Sequence, residues 1–203
     1  QNINGFQFDS LPNASYIFGE SSTLEWDPRN NQHIYLGRGT NLLKTEDNGL
    51  TYSVVHAFED KVMSVELSRA NLNYIYVTTY ESWWGDKKIW KTQDGGLSWT
   101  EITPSTVLLN GDLWVPFDIA VSANDENVVW AARTSQYGST NLNGRMVFKS
   151  TDGGSTWGNY TSNSLNGEVI TNIEHQKGTA GGVYIGTRRA VYYRNNSMTE
   201  WDL

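Results

Sequence analysis

Along most of the chain, apolar and polar residues alternate with a period of two, the pattern of pleated strands with one face turned to a core. Each run is rich in β-branched and aromatic residues and is closed by Gly, Asn, Asp or Ser, which turn a chain. The runs fall into groups of four. TLEW, HIYLG, LLKTE and YSVV make the first group. MSVELS (63–68), YIYVTTY (74–80), KIWKTQ (88–93) and WTEI (99–102) make the second. FDIAVS, VVWAAR, MVFKS and a short stretch at 157–160 make the third, and VITNIEH, VYIG, AVYYR and TEWDL the fourth. No segment carries a helical period, so the chain reads as all-β.

The third run of three groups leads into an octapeptide: TEDNGLTY (45–52), TQDGGLSW (92–99) and STDGGSTW (150–157). Its Asp residues, Asp47, Asp94 and Asp152, stand 47 and 58 positions apart. A unit of four short strands repeating at that spacing is the signature of a β-propeller blade with variable loops. Asp47, Asp94 and Asp152 can fold back on backbone N–H groups of their own turns. Gly49, Gly96 and Gly154 suit the left-handed backbone such turns demand. Tyr52, Trp99 and Trp157 are expected to cap the hairpin each one closes. Residues that recur once per unit are folding devices, because a single active site would not repeat. In the fourth group the corresponding turn, RNNSMTEW, has lost the Asp-Gly-Gly core.

The chain divides into four blades at about 23–56, 62–103, 117–160 and 169–203, with 1–22 the end of a preceding blade or a lead-in. Propellers close with ~4–8 blades. Four groups preceded by the tail of an earlier blade suggest an incomplete ring, its remaining blades supplied by the same or another chain. The chain opens at Gln1 without an initiator Met and reads as a portion of a longer secreted protein.

Composition narrows the partners. A net charge of −7, with no Lys/Arg run longer than two, gives no basic face for phosphates, so nucleic acid is excluded as a partner. No apolar stretch approaches the ~18 residues of a membrane helix, so no membrane insertion is expected. There are no cysteines, hence no disulfides or thiolate metal sites. His33, His56 and His175 are isolated, and no phosphate loop or nucleophile elbow is present. Neither a metal nor a cofactor is implied.

The octapeptides resemble the Asp-box repeat of bacterial neuraminidases, and the blades resemble those of sortilin-like and xyloglucanase-type propellers. The stretch GGVYIGTRRAVYYRNNSMTEW (181–201) is similar to propeller regions of large Bacteroidetes surface proteins. Those carry PKD-type modules and a type IX secretion sorting domain. The resemblance implies a secreted, cell-surface location and a role in adhesion, in glycan or protein binding, or in scaffolding.

In a propeller the D–A and B–C connections leave one face, and the octapeptide turns lie on the other. ESWWGDK (81–87), PSTVLLNGDLWVP (104–116) and SQYGSTNLNGR (135–145) are all lengthened on the first of these faces. Lengthened loops on a rigid scaffold are where binding residues concentrate. Trp83, Trp84, Trp114 and Tyr137 could form an aromatic platform, with Asp112, Asn141, Asn110 and Asn143 as polar contacts. Flat aromatics beside amides and carboxylates suit sugar rings. The alternative is that these loops bury their Trp residues against one another. A rival reading makes the chain one lobe of a glycoside hydrolase, with Glu81, Asp86, Asp112 and Asp118 as candidate carboxylates. The sequence shows no Arg set of the sialidase kind, and no catalytic residues are assigned.

Overall fold

The computed structural model describes residues 23–81, 87–104, 117–134, 146–179 and 181–203. The alternating runs pair into four antiparallel meanders, each strand hydrogen-bonded to the next in sequence. The first sheet holds β1 (Leu24–Asp27), β2 (Asn30–Arg38), β3 (Asn41–Thr45) and β4 (Ser53–Ala57). The second holds β5 (Lys61–Leu67), β6 (Ile75–Tyr80), β7 (Lys87–Thr92) and β8 (Thr100–Glu101). The third holds β9 (Phe117–Val121), β10 (Val129–Arg133), β11 (Val147–Ser150) and β12 (Gly158–Asn159). The fourth holds β13 (Ile170–His175), β14 (Val183–Thr187) and β15 (Val191–Arg194). Its fourth position, expected at TEWDL, is reduced to a single bridge. Tyr193 and Asp202 exchange backbone bonds of 2.7 and 2.9 Å there.

The first strands β1, β5, β9 and β13 lie side by side in chain order. That is a radial arrangement about an inner axis. Register repeats from sheet to sheet. Glu25–Tyr35–Lys44 line up across the first sheet, and Glu66–Tyr76–Lys91 across the second. Ala120–Trp130–Lys149 and Glu174–Tyr184–Tyr193 are their counterparts in the third and fourth. Directly opposed residues share a face, so each sheet presents one such row forward.

Three apolar seams form the core. Tyr35 and Leu42 of the first sheet pack with Val62, Val65, Ile75 and Val77 of the second. Tyr76 and Ile89 pack with Phe117, Ile119, Val121, Ala131 and Phe148 of the third. Ala120, Trp130 and Val147 pack with Ile173, Val183, Ile185 and Tyr192 of the fourth. Burying each large apolar side chain is worth roughly 1.5–3 kcal/mol. The seams between sheets, rather than any sheet alone, hold the assembly. At the two ends Leu24, Trp26 and Val54 of the first sheet, and Tyr184 and Val191 of the fourth, stay exposed. Among the described residues no further sheet covers them.

Candidate functional site

The octapeptide turns share one geometry, built from groups no more than six positions apart. Thr45, Thr92 and Ser150 each donate their hydroxyl to the Asp two residues on, at 2.8, 2.6 and 2.8 Å. Each hydroxyl in turn accepts the N–H of Gly49, Gly96 or Gly154, at 2.8, 2.9 and 2.7 Å. The carboxylates of Asp47, Asp94 and Asp152 then accept both N–H and hydroxyl from Thr51, Ser98 and Thr156. Those bonds favour the charged form. The Thr51 hydroxyl and N–H, with Thr45, hold Asp47 down to about 2. Thr156 and Ser150 do the same for Asp152, also to about 2. Ser98 and Thr92 push Asp94 down in the same way. Carboxylates so engaged are turn clamps, and the three sit on three separate turns.

The closing aromatics do more than cap their own hairpins, and here the structure departs from the sequence-based expectation. Trp157 donates its indole N–H at 2.8 Å to the carbonyl of Ile102, in the preceding sheet. Trp201 of the fourth sheet does the same to Tyr160, at 2.9 Å. Trp99 bonds the Gly96 carbonyl of its own turn at 3.1 Å. Its ring nonetheless lies 5.0 Å from Phe58 and 5.5 Å from His56 of the first sheet. Tyr52 has no earlier sheet beside it among the described residues and is 41% exposed. The turn glycines are also pressed against the neighbouring sheet. A Cβ on Gly154 (φ +90°) would stand 2.5 Å from Ile102 Cδ1, and one on Gly96 would collide with Val55.

The opposite end of the sheets is the candidate binding face. Strand polarity makes three connections, 81–86, 102–116 and 134–146, leave from that same end. Trp83, Trp84, Trp114, Tyr137, Asp112 and Asn141 lie outside the described residues, as do Asn110, Asn143 and Asp86. The strand ends that frame them are rich in cations. Lys61 and Lys87 lie 6.0 and 5.7 Å from the Tyr80 ring. Lys88 pairs with Asp60 at 3.2 Å, while Arg133 is buried at the end of β10.

Of the acids the hydrolase reading needs, Glu81 is exposed just past β6. Asp118 has a different occupation. Its two oxygens accept from the Ser64 hydroxyl of the second sheet (3.1 Å) and the Ile173 N–H of the fourth (3.0 Å). It thus straps three first strands together. Burial raises its pKa while those bonds hold it down, and burial is the stronger effect. Thr23 has the matching role in the seam before, accepting Val65 N–H at 3.2 Å. A shallow cleft of about 510 Å³ also opens at the outer rim between the third and fourth sheets, lined by Tyr160, Ser162, Arg194 and Glu200 among others.

Sequence reasoning missed the row Glu25, Glu66 and Glu174 on the inner strands. Its trace is the recurrence of LE, VE and IE at one place in three first strands. It also missed Lys44, Lys91 and Lys149, each just before the turn hydroxyl. Lys149 Nζ lies 4.8 Å from the Trp130 centroid and Lys44 Nζ 5.6 Å from that of Tyr35.

No protein-family model matches the sequence, and no curated protein matches it. Solved structures do. A GH74 enzyme of Niastella koreensis superposes with TM-score 0.64 at 20% identity, over 88% of this chain and 30% of that one. The GH74 xyloglucanase of Xanthomonas campestris gives 0.65 at 13%, over 89% and 30%. YCF48 bound to D1 peptide gives 0.54 at 16%, over 89% and 52%. The chain spans under a third of those GH74 proteins and about half of YCF48. Four radial antiparallel sheets and these neighbours show the fold: the described residues build a β-propeller array of four sheets, its first and last sheets left uncovered among the described residues.

Proposed function

We propose that this chain is a non-catalytic segment of a secreted, cell-surface β-propeller that binds a glycan or protein on its loop-rich face. Further blades, from the same or another chain, complete the ring. The observation that carries this reading is the occupation of Asp118. Of the two described acids near that face, Asp118 spends both oxygens tying neighbouring sheets together. The acids of the octapeptide turns are likewise consumed by their own turns and point to no common centre. What the scaffold offers is a rigid frame with three lengthened connections at one end. Their Trp, Tyr, Asp and Asn content suits stacking on sugar rings or on aromatic and polar groups of a peptide.

The GH74 neighbours favour one second reading, a lobe of a glycoside hydrolase acting on polysaccharide. In it, Glu81 and Asp112 would supply the carboxylates. One experiment separates the two. The intact protein is run by affinity electrophoresis against a polysaccharide panel that includes xyloglucan, with released reducing ends measured in parallel. The binding reading expects retardation without release. It also expects Trp83→Ala, Trp84→Ala or Trp114→Ala to weaken retardation about tenfold or more, with circular dichroism unchanged. Reducing ends released by the wild type and lost in Glu81→Gln or Asp112→Asn would overturn it.

A further inference from the structure

The inner strands carry a charged arrangement that ligand binding at the loop-rich face does not use. Glu25, Glu66 and Glu174 occupy the same register level of β1, β5 and β13, each opposite the aromatic of its second strand. The third sheet places Ala120 at that level. Its acid, Asp118, lies two residues earlier on β9 and so on the same face. Because the four first strands run side by side, the carboxylates of four sheets stand on adjacent inner strands, and those of Glu25, Glu174 and Asp118 act on Glu66. Two cations face them. Arg69, in the turn after β5, comes within 4.0 Å of Glu25, and Lys177, in the turn after β13, acts on Glu25 and Glu174.

Four acids against two bases leave an excess of negative charge on the inner strands, where Glu25, Glu66 and Asp118 are half-buried and Glu174 is exposed. The Ser64 and Ile173 bonds favour the charged form of Asp118 against the burial that raises it. Glu66 has no hydrogen-bond donor among the described residues and stands between the other carboxylates. The residue keeps some exposure, but the surrounding inner strands crowd its carboxyl.

We propose that this axial cluster is an acid-set seam: at mildly acidic pH it holds a proton on Glu66 and keeps the inner strands together, and ionisation at higher pH loosens the second sheet against its neighbours. Burial first, then the charges of Glu25, Glu174 and Asp118, raise the Glu66 carboxyl well above the ordinary 4.5, with Arg69 opposing. Burial raises Glu25 and Glu174 in the same direction. A group raised in the folded state contributes its full stability below its ordinary value and loses that contribution as pH climbs through the folded one.

The test uses the intact protein with 13C-carboxyl glutamate, titrated by NMR, the Glu66 signal being assigned from Glu66→Gln. Urea unfolding at pH 5 and pH 8 runs alongside. The Glu66 signal should titrate above the exposed glutamates. The wild-type urea midpoint should fall by roughly 0.5 M between the two pH values, and Glu66→Gln should flatten that slope. If Glu66→Gln does not fold, Glu174→Gln serves instead. Removing one repelling charge should move the remaining inner-strand signals to lower pH. A Glu66 signal that titrates with the surface glutamates, or a pH slope unchanged in the variants, would overturn the proposal.

Discussion

Adding one methyl group at Gly154 tests whether the octapeptide turns act locally or as couplings between sheets. Gly154 sits at φ +90°, and its ideal Cβ would lie 2.5, 2.8 and 3.1 Å from Cδ1, Cβ and Cγ1 of Ile102. Two costs add in Gly154→Ala. Left-handed backbone costs a residue with a side chain about 1–2 kcal/mol, and forcing a methyl into a filled seam about 1–3 kcal/mol. The variant should therefore lose about 2–5 kcal/mol. Gly167 separates the two effects: its φ is +76°, and an added Cβ meets nothing within 4 Å. Gly167→Ala should show the backbone cost alone, about 1–2 kcal/mol. Ile102→Val removes Cδ1, the nearest obstructing atom. By itself it costs about 0.5–1.5 kcal/mol. Combined with Gly154→Ala it should give back some of the loss, a coupling of about 1–2 kcal/mol. The assay is urea unfolding of the intact protein followed by tryptophan fluorescence. Equal losses at Gly154 and Gly167, together with strict additivity in the double variant, would refute the seam argument.

Two further outcomes follow from the same geometry. Trp157→Phe keeps most of the ring but strands the Ile102 carbonyl 55 residues away. It should destabilise the protein by about 1–3 kcal/mol. Trp99→Phe, whose lost bond lies inside its own turn, should disturb the adjoining seam less, as read by amide hydrogen exchange of the neighbouring strands. On the acid side, Asp47 and Asp152 are held at about 2, below the ordinary 3.8. A depressed carboxylate contributes its stability above the ordinary value and loses it as pH falls through the folded one. The urea midpoint should drop between about pH 4 and pH 2, and Asp152→Asn should be less stable at pH 5 with a shallower acid slope.

The sequence by itself determined whatever is settled within a few residues. Strand runs and their grouping in fours came from the period-two pattern. Their edges shifted by at most a few residues, the largest change being at the start of β2. The octapeptide turn was legible because every partner of Asp94 lies within four positions of it: Thr92 on one side, Ser98 on the other. Chain direction alone fixed which connections leave from which end, so the candidate face could be named from loop lengths.

The seams were decided only by tertiary structure. Nothing near Trp157 in the sequence says that its indole crosses to Ile102. Nor does anything near Asp118 say that it reaches Ser64 and Ile173, 54 and 55 positions away, a role that removes it from the list of free acids. The glutamates of the first strands look like ordinary polar positions until the strands stand side by side about one axis. A turn satisfies its own polar groups through bonds a few residues apart, so its chemistry is written locally. A contact between sheets depends on how twisted sheets pack, and only the packed core brings residues so far apart in the chain within reach.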